Sequence, residues 1–296
     1  MALTTLQAAA RADGIGASEV GTVLGINPRK SPYTLWLEKT GKVQPEDISD
    51  SRAVQLGNVM EPVILDFAAQ ELKQKVVRPT GTFKAENGVM LANLDGMVGV
   101  AKRGSEAVEA KSNWFNFDGW GEPGTAEVPP IVLAQCVGQM VCSDAPRVHV
   151  ARLVGSFGLV FSLYHIERPH PDILAQVEER VCDFWHNHVE KDIPPADSLP
   201  SADAMRRIER VRASVQVSPE LVAAFQEAKK LEADAKKAKE AAYAALTSAM
   251  VTEDGQFADE GTCPGFVVRF SDVPVKEYTV QARVDRRLSV KAATGV

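Results

Sequence analysis

Cysteine is scarce in this chain and is nowhere paired in sequence. Cys136, Cys142, Cys182 and Cys263 form no CxxC and share no spacing, which speaks against a disulfide framework and fits a reducing, cytoplasmic compartment. Long apolar runs are also absent: no stretch reaches the roughly 18 residues of a membrane span. The opening MALTTLQAAARADG has no basic segment followed by an apolar one, so neither export nor membrane insertion is expected. A basic excess is missing too. The net charge of −6 argues against a surface coated for nonspecific nucleic-acid binding, although it leaves room for a local basic channel. What remains is an ordinary mixture, 45% hydrophobic and 24% charged, enough for one large core or a core with an appendage.

The chemistry-bearing stretch is Leu91 to Ser112, LANLDGMVGVAKRGSEAVEAKS. Asp95 precedes a glycine; a turn containing Lys102, Arg103 and Gly104 follows, and then come Glu109 and Lys111, separated by one alanine. In a strand, residues i and i+2 share a face, so Glu109 and Lys111 project together while Ala110 points into a core. Two carboxylates and an ammonium at one end of a hairpin suit a hard divalent cation such as Mg²⁺, with the lysine beside a metal-bound water. That is the layout of a metal-dependent phosphodiesterase. An unremarkable charged hairpin would carry the same three residues, so the surrounding chain has to decide.

Ahead of this stretch, Ser18 is a candidate N-cap for a short helix over Glu19 to Leu24, ended by Gly25 and Asn27-Pro28. Free N–H groups at such an end suit a phosphate, and Arg11 lies one loop upstream. Ser31-Pro32-Tyr33 opens a second helix closed by Gly41, with Trp36 facing inward. From Ser49, apolar residues at Ala53, Leu56, Met60, Val63, Ile64, Phe67 and Leu72 predict a third helix with one buried stripe. Pro62 predicts a kink or restart beside Glu61. TFKAEN, GVMLANL, MVGVA and AVEAKS then read as an antiparallel meander. The aromatic and Gly/Pro-rich NWFNFDGWGEPGTAEVPP reads as a substrate-contacting loop. Ile131 to Ser143 predicts a helix with Gln135 and Gln139 on one face, followed by strands at Val148–Val154 and Phe157–Ile166 and a helix from Pro171 to about Lys191. Cys182, His186 and His188 fall on the amphipathic side of that last helix, which favours packing over a zinc site. The order of elements predicts a mixed α/β (α+β) core, not a Rossmann alternation.

The Ala/Asp/Ser/Pro stretch to Ala204 reads as a linker, and Glu220 to Met250 as a long alanine-rich helix with near-heptad apolar spacing. The tail reads as short strands at Gly265–Phe270 and Val273–Val290, with basic residues Arg283, Arg286, Arg287 and Lys291. The predicted division is therefore residues 1–199 as the core and residues 200–296 as a helical extension serving oligomerisation or contacting a ligand as an arm.

GIGASEVGTVLGINPRKSPYTLWLEKTG, GNVMEP, LDGM, EAK and LAQCVGQM occur in an order and spacing that resemble the YqaJ-type viral recombinases, relatives of phage lambda exonuclease within the PD-(D/E)XK nucleases. The resemblance runs from about Arg11 to Val189 and implies a restriction-endonuclease-like core, a mixed central sheet flanked by helices. It further implies a Mg²⁺-dependent exonuclease, with Mn²⁺ as a possible substitute, that degrades one strand of a DNA duplex from a 5′ end and leaves single strands for an annealing protein. Carried over, Glu61, Asp95 and Glu109 would be metal ligands and Lys111 would handle the attacking water. Gln135 would be the glutamine of the motif, and Arg11 and Ser18 would hold a 5′-phosphate. A homo-oligomer in the cytoplasm of a bacterium or a phage-infected host is implied as well. Two positions depart from the lambda pattern: Asn93-Leu94 stand where Ser-Pro precedes the aspartate, and Val137 replaces the second glutamine of Gln-x-Gln. An endonuclease on the same core, or a catalytically inactive DNA-binding or assembly subunit, is the competing expectation.

Overall fold

The computed structural model describes residues 13–113, 119–155, 158–209 and 214–269. Its centre is a five-stranded sheet ordered β2 (Val76–Val77), β5 (Gly96–Val98), β6 (Ala107–Asn113), β7 (Arg147–Gly155) and β8 (Leu159–Glu167). Only β6 and β7 run parallel. A parallel pair needs a crossover, and here the helix α4 (Pro130–Ser143) supplies it. The expected mixed α/β architecture, a mixed sheet flanked by helices, is thus present.

One face of the sheet is covered by α3 (Arg52–Leu72). Its Ile64, Leu65 and Ala68 pack on Val98, Val108, Ala151 and Leu153. The other face is covered by α4, whose Val132, Cys136, Val137 and Met140 share a core with Ala107, Val148, Val150 and Tyr164. That core extends to the N-terminal elements β1 (Ile15–Gly16), the 3₁₀ turn Ala17–Glu19, α1 (Val20–Val23) and α2 (Pro32–Lys39). As expected from Ser31-Pro32 and Gly41, the Ser31 hydroxyl accepts from Thr34 N at 3.1 Å, and the chain turns out of α2 through Gly41 at φ 71°. Trp36 is buried. Gly138 lets α4 close on the 3₁₀ turn, where a Cβ would stand 2.8 Å from Val20 Cγ2 and 3.1 Å from Ala17 Cα.

Several expectations change here. The four segments read as one meander are divided between two sheets: β3 (Phe83–Lys84) and β4 (Met90–Ala92) pair with β1 in a separate three-stranded sheet, whereas β5 and β6 join the central one. The parallel partner β1, far away in sequence, captures β4. α3 runs unbroken through Pro62, and its buried stripe is Glu61, Ile64, Leu65 and Ala68, while Val63 and Phe67 are exposed. Ser18 is not a helix N-cap but lies inside the 3₁₀ turn, where Glu19 Oε2 accepts from Gly16 N at 2.8 Å.

Beyond β8, α5 (Pro171–Asp183) continues through a π-helical turn to Val189. The stretch read as a linker packs on the core instead: Ser198 Oγ accepts from Tyr33 N, α6 (Ala202–Arg207) follows, and Ala204 is fully buried. The chain divides into two compact units after Arg210. The second unit contains α7 (Pro219–Ser248) and an antiparallel hairpin of β9 (Glu260–Cys263) and β10 (Phe266–Arg269). The segment Val273–Val290 with Arg283, Arg286, Arg287 and Lys291 lies outside the described residues. No helix among the described residues is long and apolar enough to cross a membrane, and all four cysteines are free.

Candidate active site

The site grows out of β6. Its odd-numbered residues face α4, so Glu109 and Lys111 project together, while Ala110 packs against the core on the α3 side. Lys111 Nζ donates to Glu109 Oε1 at 2.6 Å and to Gln135 Oε1 at 2.9 Å. Gln135 Nε2 donates back to Glu109 Oε1 at 2.7 Å, and Gln139 Nε2 reaches Glu109 Oε2 at 2.5 Å. Glu109 is only 4% exposed, and a carboxylate taken this far from water needs such donors. Gln139 is the residue that motif reasoning passed over. Its spacing of one helical turn from Gln135 was the available signal, and it reaches Glu109 where Val137 could not.

Asp95 enters from the start of β5, and its Oδ2 accepts from Ala110 N at 2.9 Å. Gly96 makes this approach possible, since a Cβ there would lie 2.6 Å from Val76 Cγ1 and 3.1 Å from Leu65 Cδ2. Burial, followed by the charge of Glu109, pushes the Asp95 carboxyl up to about 8, with Glu61 adding to the rise and the Ala110 N–H opposing it. For Lys111, burial works against the charged form, but Glu109 and then Asp95 outweigh it and hold the ammonium above its ordinary value. Glu61 comes from the buried stripe of α3, and its Oε1 accepts from Arg78 Nη2 at 2.8 Å. Of the remaining expected residues, Ser18 is exposed on the 3₁₀ turn packed against α4, and Arg11 lies outside the described residues.

Next to Lys111 in the sheet register is Arg152 of β7. It donates to Asn113 Oδ1 at 3.0 Å and lies 4.2 Å over the Trp120 ring, which in turn packs on Tyr164. The loop carrying Trp120 runs beside β8, with Gly124 N donating to Leu163 O and His165 N to Thr125 O.

Among the described residues, no group of three or more His, Cys, Asp or Glu side chains is drawn together tightly enough to hold an ion. In kind, however, the donors fit a hard divalent cation. Asp95 and Glu109 are near enough for one to suppress ionisation of the other, a repulsion that a cation would relieve. Glu109 Oε1 accepts two bonds, but Oε2 accepts one from Gln139, which leaves a lone pair available.

Residues 8–146 match the YqaJ-like viral recombinase domain, so the resemblance carried by the motifs holds over that segment. A Bacillus subtilis protein named only "Uncharacterized protein YqaJ" is 29% identical over 184 residues, covering 60% of this chain and 54% of its own length. The chain therefore spans about half of that relative. Among solved structures, an alkaline exonuclease (LHK-Exo) from Laribacter hongkongensis is similar at a TM-score of 0.46 and 19% identity, over 62% of this chain and 92% of that one. A phage-related exonuclease from Haemophilus somnus is similar at 0.44 and 12%, over 60% and 96%.

Proposed function

We propose that this protein is a Mg²⁺-dependent exonuclease that degrades one strand of a DNA duplex from its 5′ end, supplying single strands for phage-type homologous recombination through an annealing protein. The observation carrying this reading is the Asp95, Glu109, Lys111, Gln135 and Gln139 cluster on one sheet face, inside a segment matching a viral recombinase domain. A Mg²⁺ or Mn²⁺ ion held by Asp95, Glu109 and Glu61 would supply Lewis-acid stabilisation and a water of lowered pKa. In the absence of an ion, Glu109 holds the Lys111 ammonium above its ordinary value. Lys111 would hold or help deprotonate the attacking water. Glu109 and Gln135 aim its Nζ, and Gln139 keeps the second carboxylate oxygen of Glu109 fixed. Arg11 and Ser18 would receive the 5′-phosphate and set the register of cleavage. Assembly into a homo-oligomer belongs to the same reading.

The test compares a linear duplex bearing 5′-phosphates, the same duplex without them, and a covalently closed circle, each with Mg²⁺ and with EDTA. Degradation of the linear duplex alone, abolished by EDTA and slowed by loss of the phosphate, is expected. Arg11→Ala should remove most of the phosphate preference. Cutting of the closed circle would assign an endonuclease instead, and no cutting of any substrate would reject hydrolysis.

A further inference from the structure

No motif pointed to Arg78, yet the fold delivers it to Glu61 of the candidate site. β2 and β5 pair with Val76 opposite Val98 and Val77 opposite Met97. Arg78 follows directly on β2. Side chains alternate along a strand, and Val76 packs on the α3 side of the sheet, so Arg78 points that way too. There its Nη2 meets Glu61, which lies one helical turn before Leu65, the residue that covers Gly96. Strand alternation on one side and helical phase on the other thus build the contact.

The two partners differ in their surroundings. The Glu61 side chain is 9% exposed, whereas that of Arg78 is 37% exposed. A guanidinium carries five N–H donors in one plane, and among the described residues one of them is engaged, by Glu61. The lysine of the site, by contrast, is already held by Glu109 and Gln135.

We propose that Arg78 is a phosphate-binding residue of this site. Resting on the nuclease reading, the proposal is that Glu61 anchors one edge of the guanidinium while the free N–H groups donate to the non-bridging oxygens of the DNA phosphate at Asp95, Glu109 and Lys111. Those oxygens gain negative charge as the phosphodiester is attacked. A planar fork of fixed positive charge matches two of them at once, which a lysine cannot do.

Full-length wild type, Arg78→Gln and Arg78→Lys are titrated against a fluorescent 5′-phosphorylated duplex in EDTA, between about 50 and 200 mM salt. Arg78→Gln is expected to weaken binding and to reduce the slope of log K against log salt by about 0.9, the share of one phosphate contact. Arg78→Lys should retain the slope but lose ~10²-fold in Mg²⁺-supported hydrolysis, since the fork is gone. A folded Arg78→Gln protein with the wild-type slope would overturn the proposal and reduce Arg78 to a counter-charge for Glu61. If Arg78→Gln proves unstable, wild-type hydrolysis by Arg78→Lys overturns it equally. Wild type that cuts DNA while the variants match it sinks the Arg78 assignment alone; wild type that neither binds nor cuts DNA sinks the nuclease reading together with it.

Discussion

Helices α4 and α7 are both built largely from small and apolar residues, yet ten of the fourteen residues of α4 are buried and none of the thirty in α7. The difference shows two ways in which a helix is maintained. α4 is held by burial between the sheet and the N-terminal elements, and this allows it to carry two neutral amides, Gln135 and Gln139, into contact with a buried carboxylate. α7 depends on alanine propensity and on charge pairs at helical spacing such as Glu232 and Lys236. Its Leu221, Phe225, Leu231, Tyr243 and Leu246 remain exposed. Chemistry that needs fixed geometry belongs on the first kind of helix, and the second is suited to association.

The sharpest way to break this contrast is through the contacts of β6 with α4. Glu109→Ala, Asp95→Ala or Lys111→Ala should lower hydrolysis by ~10³-fold or more, the scale on which removing one member of a catalytic set acts. Gln139→Leu should lower it less, by 10- to 100-fold at the order-of-magnitude level expected for a partner that orients a ligand. Circular dichroism should show each variant folded. Near-normal turnover by folded Glu109→Ala would remove the site from this face of the sheet.

A smaller effect concerns stability and pH in the first unit. The Asp95 carboxyl binds its proton more tightly in the folded protein, near 8 against an ordinary 3.8. The folded state therefore holds more protons than the unfolded state across that window. The stability contributed by Asp95 is complete below about pH 4 and is lost as pH rises towards about 8. In EDTA, the melting temperature of Asp95→Asn should thus gain on that of wild type between pH 5 and about 8. A difference that stays constant with pH would mean that Asp95 is neither buried nor crowded by Glu109.

The smallest effect on the core is expected from removing α7. A chain ending at Arg210 should melt, in its first unit, within a few degrees of the full-length protein, because that unit has a hydrophobic core of its own. Light scattering on both chains reads the second half of the contrast. An oligomer lost on truncation would assign association to the second unit. An oligomer retained would move it to the core, and a full-length monomer at micromolar concentration would refute it.

Much was legible locally. The boundaries of α2 could be read from Ser31-Pro32 and Gly41, and the strands β7 and β8 from their β-branched and aromatic content. The common face of Glu109 and Lys111 followed from the period of a strand alone. These features depend on backbone chemistry within a few residues, and nothing distant has to be known to predict them. The pairing of Gln135 with Gln139 was also visible as spacing, although its object, the Glu109 carboxylate, was not.

The tertiary structure decided whatever local pattern left degenerate. α3 carries two apolar stripes, Leu56, Val59, Val63 and Phe67 on one side and Ile64, Leu65 and Ala68 on the other, and only the second is buried. Which stripe met the sheet determined that Glu61 points inward, one turn before Leu65. The division of the expected meander likewise required β1, which no local signal ties to β4. Arg78 has no motif of its own; it follows a two-residue edge strand and meets Glu61 of α3. Strand partners and buried faces are selected by long-range packing, where several local solutions cost nearly the same and the burial of one common core chooses among them.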